Sequence, residues 1–455
     1  MTRWLPSRAW AALFAGALAC AAPGALAPPA NLLIVTLDTT RADRLSPYGF
    51  QSAAMPALEQ LAGDGIVFLQ TFTVAPLTLP AHSSLLTGLY PPHHGVRENG
   101  SPPLGPAPPT LAQMLRGQGV RTAAFVAADV LRADRGLARG FEVYHDTTSG
   151  RADAPTVRRP ANEVVDDALR WLNAQNGSRF FAWVHLYDAH APCQPPEPYL
   201  AQFATDPYEG SVAFMDAQVH RLIRWLEMRR ELGRTLIVVA GDHGESLGDH
   251  GEREHGIFVY DSVLHVPLIM RVPGRPPRRF TPVTSLVDVM PTILGLMRLR
   301  PVATDGVDLT RAMRGATELP DRAVYAESLY PRDFGLSPLR AVRYGRMKFI
   351  DAPRPELYDL GRDPFEEHNL YHARSAAVGA MKARLETFDG LEMSSGALSG
   401  GTTPDPDVRR RLEALGYVAG EDARLPATAA RDPKDYIEAY NAMRRAGAFR
   451  RGRSE

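Results

Sequence analysis

Three apolar runs stand out along the first half of the chain, each closed by an aspartate: Asn31-Leu-Leu-Ile-Val-Thr-Leu-Asp38, Arg179-Phe-Phe-Ala-Trp-Val-His-Leu-Tyr-Asp188 and Thr235-Leu-Ile-Val-Val-Ala-Gly-Asp242. Their length and their β-branched and aromatic content predict strands buried on both faces, as in a parallel sheet. Between them apolar residues recur three and four apart over Pro56 to Ala62, Ala161 to Asn176 and Glu209 to Leu232, which predicts helices. Strand alternating with helix predicts an α/β fold with a doubly wound, mainly parallel sheet, whose ligands sit beyond the carboxyl ends of the strands. Asp38, Asp188 and Asp242 should then converge on one edge.

From about residue 321 the texture changes to short strand-like pieces, AVYAES, LRAVRYG and RMKFIDA, followed by ELYDLGRDPFEEHNL. These predict a smaller antiparallel-sheet subdomain running to about residue 390. EMSSGALSGGTTPDPD then reads as a linker, followed by a short helix at Pro406 to Leu415 and a last helical piece at Asp432 to Ala446. The expected division is a main domain over 31–320, the subdomain over 321–390, and a linker with a helical tail over 391–455.

Composition narrows the function. The 51 basic residues balance 51 acidic ones, so no net field gathers nucleic acid or an anionic membrane, and affinity for anions must come from a local site. Arg3 and Arg8 precede the apolar run Ala11 to Ala19 and then AAPGALAPP, the pattern of a signal peptide over residues 1–27 and hence of an exported, periplasmic or extracellular protein. The apolar run is shorter than the ~20 residues that span a bilayer, so no transmembrane span is expected in the mature chain. Ala17-Leu18-Ala19-Cys20 resembles a lipoprotein cleavage box, with alanine where leucine is usual, and leaves a lipid anchor at Cys20 as an alternative. With Cys20 removed, Cys193 is the one remaining thiol and no disulfide can form within the chain. The oligomeric state is not legible.

The candidate chemistry begins at PLTLPAHSSLLTGLY. Pro80 fits the first turn of a helix and Thr87-Gly88 its end, so Thr78 should lie at or just before a helix N-terminus, where free N–H groups and the macrodipole favour negative charge. A plain capping threonine is the simpler reading. GDHGESLGDHGEREHG, directly after an apolar strand, gathers Asp242, His243, Asp249, His250 and His255. Adjacent Asp-His at one strand end, with Asp38 at another, points to a divalent metal site more than to a solvated loop.

The series LDTTRADRLSPYG, MPALEQLAGDGIVF, LPAHSSLLTGLYPPHHGVRENG, YDAHAP, GDHGESLGDHG, HGIFVYDSVLHVPLI and ELYDLGRDPFEEHNL resembles the sulfatase family of the alkaline phosphatase superfamily, in family order from Asn31 to about Leu370. The resemblance implies a large α/β domain with a smaller carboxyl-terminal sheet. It also implies hydrolysis or transfer of sulfate or phosphate esters on a bound divalent cation. Asn99, His190 and His255 match family positions that contact the transferred group or protonate the leaving oxygen. Asp38, Asp242 and His243, with the Thr78 hydroxyl, match the metal set.

The departures from the family pattern carry as much. Sulfatases place Cys or Ser, any residue, Pro, any residue and Arg where this chain has Thr78-Leu79-Pro80-Ala81-His82, and threonine cannot become the formylglycine aldehyde. Thr39 replaces a second aspartate and His243 an asparagine. Fewer carboxylates and an added imidazole favour Zn²⁺ or Mn²⁺, with Ca²⁺ the alternative. A threonine in this place is the pattern of phosphodiesterase and phosphoglycerol-transferase relatives. The implied chemistry is attack by the Thr78 hydroxyl on phosphorus or sulfur, giving an enzyme ester that water cleaves. A phosphodiester or phosphonate ester is the favoured substrate. A phosphoglycerol- or phosphoethanolamine-type transferase uses the same residues, and a binding protein with a decayed site is the non-enzymatic alternative.

Weaker candidates are His82, His93, His94 and Arg97. His82 stands where the family arginine is missing, and Arg41 with Asp43 reads as a loop ion pair. Asp188 could complete a second metal site with His190 and His255, but the spacing favours one metal. YNAMRRAGAFRRG resembles the opening of a tetratricopeptide unit. A lone unit of that kind cannot bury its apolar face, so residues beyond about 419 are expected to be weakly ordered and dispensable.

Overall fold

The computed structural model describes residues 27–51, 55–146, 159–315, 319–388 and 431–451. The expected leader with Cys20 and the helix expected at 406–415 lie outside them. Among the described residues no helix is long and apolar enough to cross a membrane.

The three apolar runs form neighbouring parallel strands. They are β1 (Asn31–Leu37), β5 (Phe180–Leu186) and β6 (Thr235–Gly241), and every residue of all three is buried. Strand β1 pairs with both others, with Leu37 opposite Leu186 on one side and Gly241 on the other. Asp38 and Asp242 therefore leave the sheet at the same level. The remaining strands of this sheet are β2 (Ile66–Phe72), β3 (Arg121–Phe125), β4 (Val143–His145), β7 (His265–Arg271), β8 (Arg278–Phe280) and β9 (Thr284–Ser285). Their order is β4-β3-β5-β1-β6-β7-β2-β8, with β9 also on β2 and with β7 the one that runs antiparallel to both its neighbours. A second sheet, β10 (Ala323–Ser328), β11 (Leu339–Tyr344), β12 (Met347–Asp351) and β13 (Glu356–Asp359), is antiparallel throughout, as the changed texture predicts.

Helices cover the large sheet, and carboxylates from elsewhere in the chain fix where several of them begin. Helix α1 (Pro56–Asp64) opens on a proline, and its free Ala57 and Leu58 N–H groups donate to buried Asp216 at 3.1 and 2.8 Å. Helix α2 (Thr78–Thr87) ends at Gly88, whose φ of 71° a Cβ would strain. Helix α3 (Ala161–Asn173) is strongly amphipathic, and α4 (Pro207–Met228) is capped by Asp206, which accepts the Glu209 N–H at 3.1 Å. Helices α5 (Val289–Leu296) and α6 (Ser375–Glu386) complete the two layers, α6 packing on the small sheet.

The carboxyl-terminal segment differs from expectation. Residues 419–430 lie outside the described ones, but α7 (Ile437–Arg451) packs on the main domain, with Ile437, Tyr440 and Asn441 buried. A single amphipathic helix does need a partner face, and here the main domain supplies it.

His94, just after α2, is buried with its Nδ1 accepting the Val96 N–H and its Nε2–H donating to Ser84 Oγ. Burial, with the His93 and Arg97 charges beside it, pushes this imidazole down to about 3. In the unfolded chain it takes up a proton near 6.5 and in the folded chain it does not. Stability should therefore fall as pH drops below 6.5, by about 1.4 kcal/mol per pH unit for this group. Thermal midpoints between pH 7 and 5 should fall more steeply for the wild type than for His94→Gln; parallel curves would refute the assignment.

Candidate active site

Strand β1 ends at Asp38, and the next residue, Thr39, takes the left-handed φ of 50°. That strained turn aims the Thr39 N–H at Asp242 Oδ1, 3.2 Å away, and it is pinned from α4 by the Tyr208 hydroxyl, which donates to the Thr39 carbonyl at 2.9 Å. Asp242 Oδ1 also accepts the His243 N–H at 2.7 Å. One oxygen of Asp242 is thus anchored and the other, Oδ2, is buried without a partner. The chain can turn here because at Gly244 a Cβ would stand 2.2 Å from the Ser262 carbonyl oxygen, a space open to glycine alone.

Asp38 is built the same way. Its Oδ2 accepts from His185 Nε2 at 3.0 Å and faces the Thr78 hydroxyl at 3.3 Å, while Oδ1 is buried and unpaired. His185 Nδ1 accepts the Ala127 N–H, which places its proton on Nε2, toward Asp38. His243 Nδ1–H donates to the Gly244 carbonyl at 2.9 Å, so its Nε2 lone pair is the group that meets Thr78 Oγ1, 3.3 Å away. Glu245 and His185 went unassigned in the sequence reading. For His185 the signal is there: a histidine one position before the end of an otherwise apolar strand, in register with Thr36 of β1.

These residues fit a divalent cation. Asp38, Asp242 and His243 each offer a ligand atom within 4.8 Å of the others, all three residues are fully buried, and the two orphaned carboxylate oxygens belong to this set. Burial pushes the Asp38 carboxyl up to about 7, and burial together with Asp38 raises Asp242. Two such carboxylates side by side call for a positive charge. His82, His185 and Asp242 lie equally close to one another, but both ring nitrogens of each histidine already have hydrogen-bond partners: His82 bonds the Thr78 carbonyl at 2.8 Å and Thr36 Oγ1 at 3.0 Å. His82 is a buried prop beneath α2, and burial pushes its imidazole down to about 3.

Thr78 is the first residue of α2 and is fully buried. It does not cap the helix. Asn99 does that from the 95–101 loop, its Oδ1 accepting the Leu79 N–H at 2.9 Å, while its buried Nδ2 has no partner. A row of rings closes the other side: Tyr187 stacks on His190 at 4.4 Å, His190 meets His255 at 4.9 Å, and His255 meets His243 at 4.4 Å. His190 Nδ1–H donates to the Ala191 carbonyl. His255 Nδ1 is 3.0 Å from Glu245 Oε1. Burial raises that carboxyl and depresses that imidazole, so charge on either partner is disfavoured.

The structure thus brings Asp38, Thr78, Asn99, His190, Asp242, His243 and His255 around one point. Asp188 does not join them: its carboxylate accepts the Ala161 N–H at the start of α3, so the expected convergence of three aspartates holds for two. Arg41 pairs with Asp43 as expected, and it also reaches Asp249 and the carbonyls of Glu245 and Ser246, tying the turn after β1 to the loop after β6. His93 pairs with Asp305 and Arg97 with buried Glu327 on β10.

A family model described as Sulfatase matches residues 30–299, and one described as N-sulphoglucosamine sulphohydrolase, C-terminal, matches residues 248–389. The chain is 22% identical to the Delta 4,5-hexuronate-2-O-sulfatase of Bacteroides thetaiotaomicron over 78% of its length and 87% of that protein. It is 26% identical to the choline-sulfatase of Rhizobium meliloti, covering 75% of this chain and 82% of that one. The phosphonate monoester hydrolase of Agrobacterium radiobacter shares the fold, with a TM-score of 0.66 at 24% identity over 80% of this chain and 96% of its own. With the first of these models spanning more than half of its residues, the chain belongs to the sulfatase family.

Proposed function

We propose that the protein hydrolyses phosphodiesters or phosphonate esters, in preference to sulfate esters, through a covalent ester on Thr78. The observation that carries this reading is the Thr78 hydroxyl, set on the first turn of α2 and 3.3 Å from both Asp38 Oδ2 and His243 Nε2. Asp38 Oδ2 takes the hydroxyl proton, and the helix N-terminus stabilises the oxygen left behind. Asp38, Thr78, Asp242 and His243 would hold a divalent cation, which would supply Lewis acidity to the reacting oxygens, Zn²⁺ or Mn²⁺ suiting the imidazole-containing set better than Ca²⁺. Thr78 Oγ bonds to phosphorus, the bond from phosphorus to the ester oxygen breaks, and the leaving alcohol takes the Nε2 proton of His255 as Glu245 supplies one to Nδ1. Water then attacks phosphorus and gives a proton back to the His255–Glu245 pair, while Thr78 Oγ leaves and recovers its own proton from Asp38. Asn99 Nδ2, a buried donor beside the start of α2, is placed to bind a non-bridging oxygen of the transferred group. The amino-terminal leader would deliver this activity outside the cytoplasm.

Turnover of 4-nitrophenyl phosphate, bis(4-nitrophenyl) phosphate, 4-nitrophenyl phenylphosphonate and 4-nitrophenyl sulfate under Zn²⁺, Mn²⁺ and Ca²⁺ tests this. The diester or the phosphonate with Zn²⁺ or Mn²⁺ should lead; sulfate leading under Ca²⁺ would overturn the preference. His243→Asn should weaken Zn²⁺ at least about tenfold more than Ca²⁺ in a metal titration, because imidazole favours the softer ion. Equal losses for both ions would remove His243 from the ligand set.

A further inference from the structure

The tail helix α7 lies beyond residue 389, where the second family model stops, yet it grips the loop that carries His255. Its inward residues, Ile437, Tyr440, Asn441 and Arg444, are spaced as one helical face, and all but the partly exposed Arg444 are buried. Arg444 donates through Nε to Glu254 Oε2 at 3.0 Å and through a second guanidinium nitrogen to the same oxygen. Asn441 clamps the loop backbone in both senses: its Nδ2 donates to the Gly251 carbonyl at 2.7 Å, and its Oδ1 faces the Arg253 N–H at 3.4 Å. On the far side of His255, Tyr330 packs against Gly256, where a Cβ would stand 3.0 Å from its ring, and Tyr440 of α7 meets Tyr330 edge to face.

We infer that α7 is a working part of the active site: Arg444, with Asn441 and Tyr440, is a positioning residue that holds the 249–256 loop so that His255 stays on its Glu245 partner. Both chain neighbours of His255 are held, Glu254 directly and Gly256 through Tyr330. The inner edge of the loop is braced independently, since Glu252 accepts the Ile257 and Phe258 N–H groups and the Ser246 hydroxyl. What α7 adds is a hold on the backbone at Gly251 and Arg253 and on the Glu254 side chain, next to His255. The inference rests on the reading that His255 protonates the leaving oxygen, and its test separates the two.

Full-length Arg444→Ala, Arg444→Lys and Arg445→Ala, the last on the exposed side of the same helix, are compared by amide hydrogen exchange and by turnover of esters with good and poor leaving groups. Arg444→Ala should speed exchange over residues 244–258 and little elsewhere. It should lower kcat by at least about tenfold for an alkyl ester, and no more than about threefold for a nitrophenyl ester that leaves without help, with KM near its wild-type value. Arg444→Lys should recover part of both effects, and Arg445→Ala should match the wild type. Unchanged exchange in the loop overturns the inference, as does faster exchange with no loss of turnover or with equal losses for both leaving groups. If the wild type turns over no ester, the proposed function fails, and the exchange result alone decides whether α7 holds the loop.

Discussion

Replacing Thr78 by alanine should reduce turnover by at least about 10⁴-fold while the protein stays folded. The size follows from the role: removing a nucleophile leaves only binding and electrostatic stabilisation, and no other hydroxyl among the described residues bridges Asp38 and His243. The modest structural effect follows from what the side chain touches. Thr78 is fully buried, so the change removes one methyl group and one hydroxyl that lies 3.3 Å from both Asp38 and His243, a cost of about 1–2 kcal/mol. Thr78→Ser keeps the oxygen and loses only the methyl, and should retain measurable activity. Steady-state rates and thermal midpoints of the three proteins check both halves. Wild-type activity in Thr78→Ala would remove the residue from the chemistry.

Asp38→Asn should be nearly as damaging, costing about a thousandfold in turnover together with stoichiometric metal, because it replaces a charged ligand by a neutral one of the same shape. Its effect on the metal-free protein should be opposite in sign to the usual penalty for a buried change. Asp38 and Asp242 are two fully buried carboxylates beside one another, and the amide oxygen can still accept from His185 Nε2. Removing one charge relieves their burial and mutual repulsion. The thermal midpoint in excess chelator should therefore equal or exceed that of the wild type, while the stabilisation on adding Zn²⁺ or Mn²⁺ should vanish. A variant that still binds metal one-to-one would show that Asp38 serves the fold and not the ion.

How much of this was legible depended on how far each signal reached along the chain. The strand ends were readable because a buried parallel strand must be apolar throughout, so an aspartate directly after seven such residues marks the sheet edge; this located Asp38 and Asp242. The same logic over-reached at Asp188, since the sequence does not say which way a side chain turns after the strand, and this one turns to the start of α3. Thr78 was placed at a helix start from Pro80 and Gly88, but its burial was not visible, because what covers it comes from Asn99 and from the loop after β6. His185 bonds a partner far away in sequence, Asp38, and carries only the weak mark of a polar residue in a buried stretch, while Glu245 meets His255 across a loop whose fold the sequence does not show. The tail was misread for a related reason: the amphipathic face of α7 was evident, but its partner, the 249–256 loop, is set by the tertiary fold.

The covalent step is open to direct observation. Enzyme turning over bis(4-nitrophenyl) phosphate or 4-nitrophenyl phenylphosphonate is quenched in acid, digested and mapped by peptide mass. The peptide containing Thr78 should carry the transferred phosphoryl or phosphonyl group, and should be unmodified in enzyme quenched without substrate. The group on any other residue, or a Thr78 peptide that stays unmodified at every time point while product accumulates, would contradict nucleophilic catalysis by Thr78.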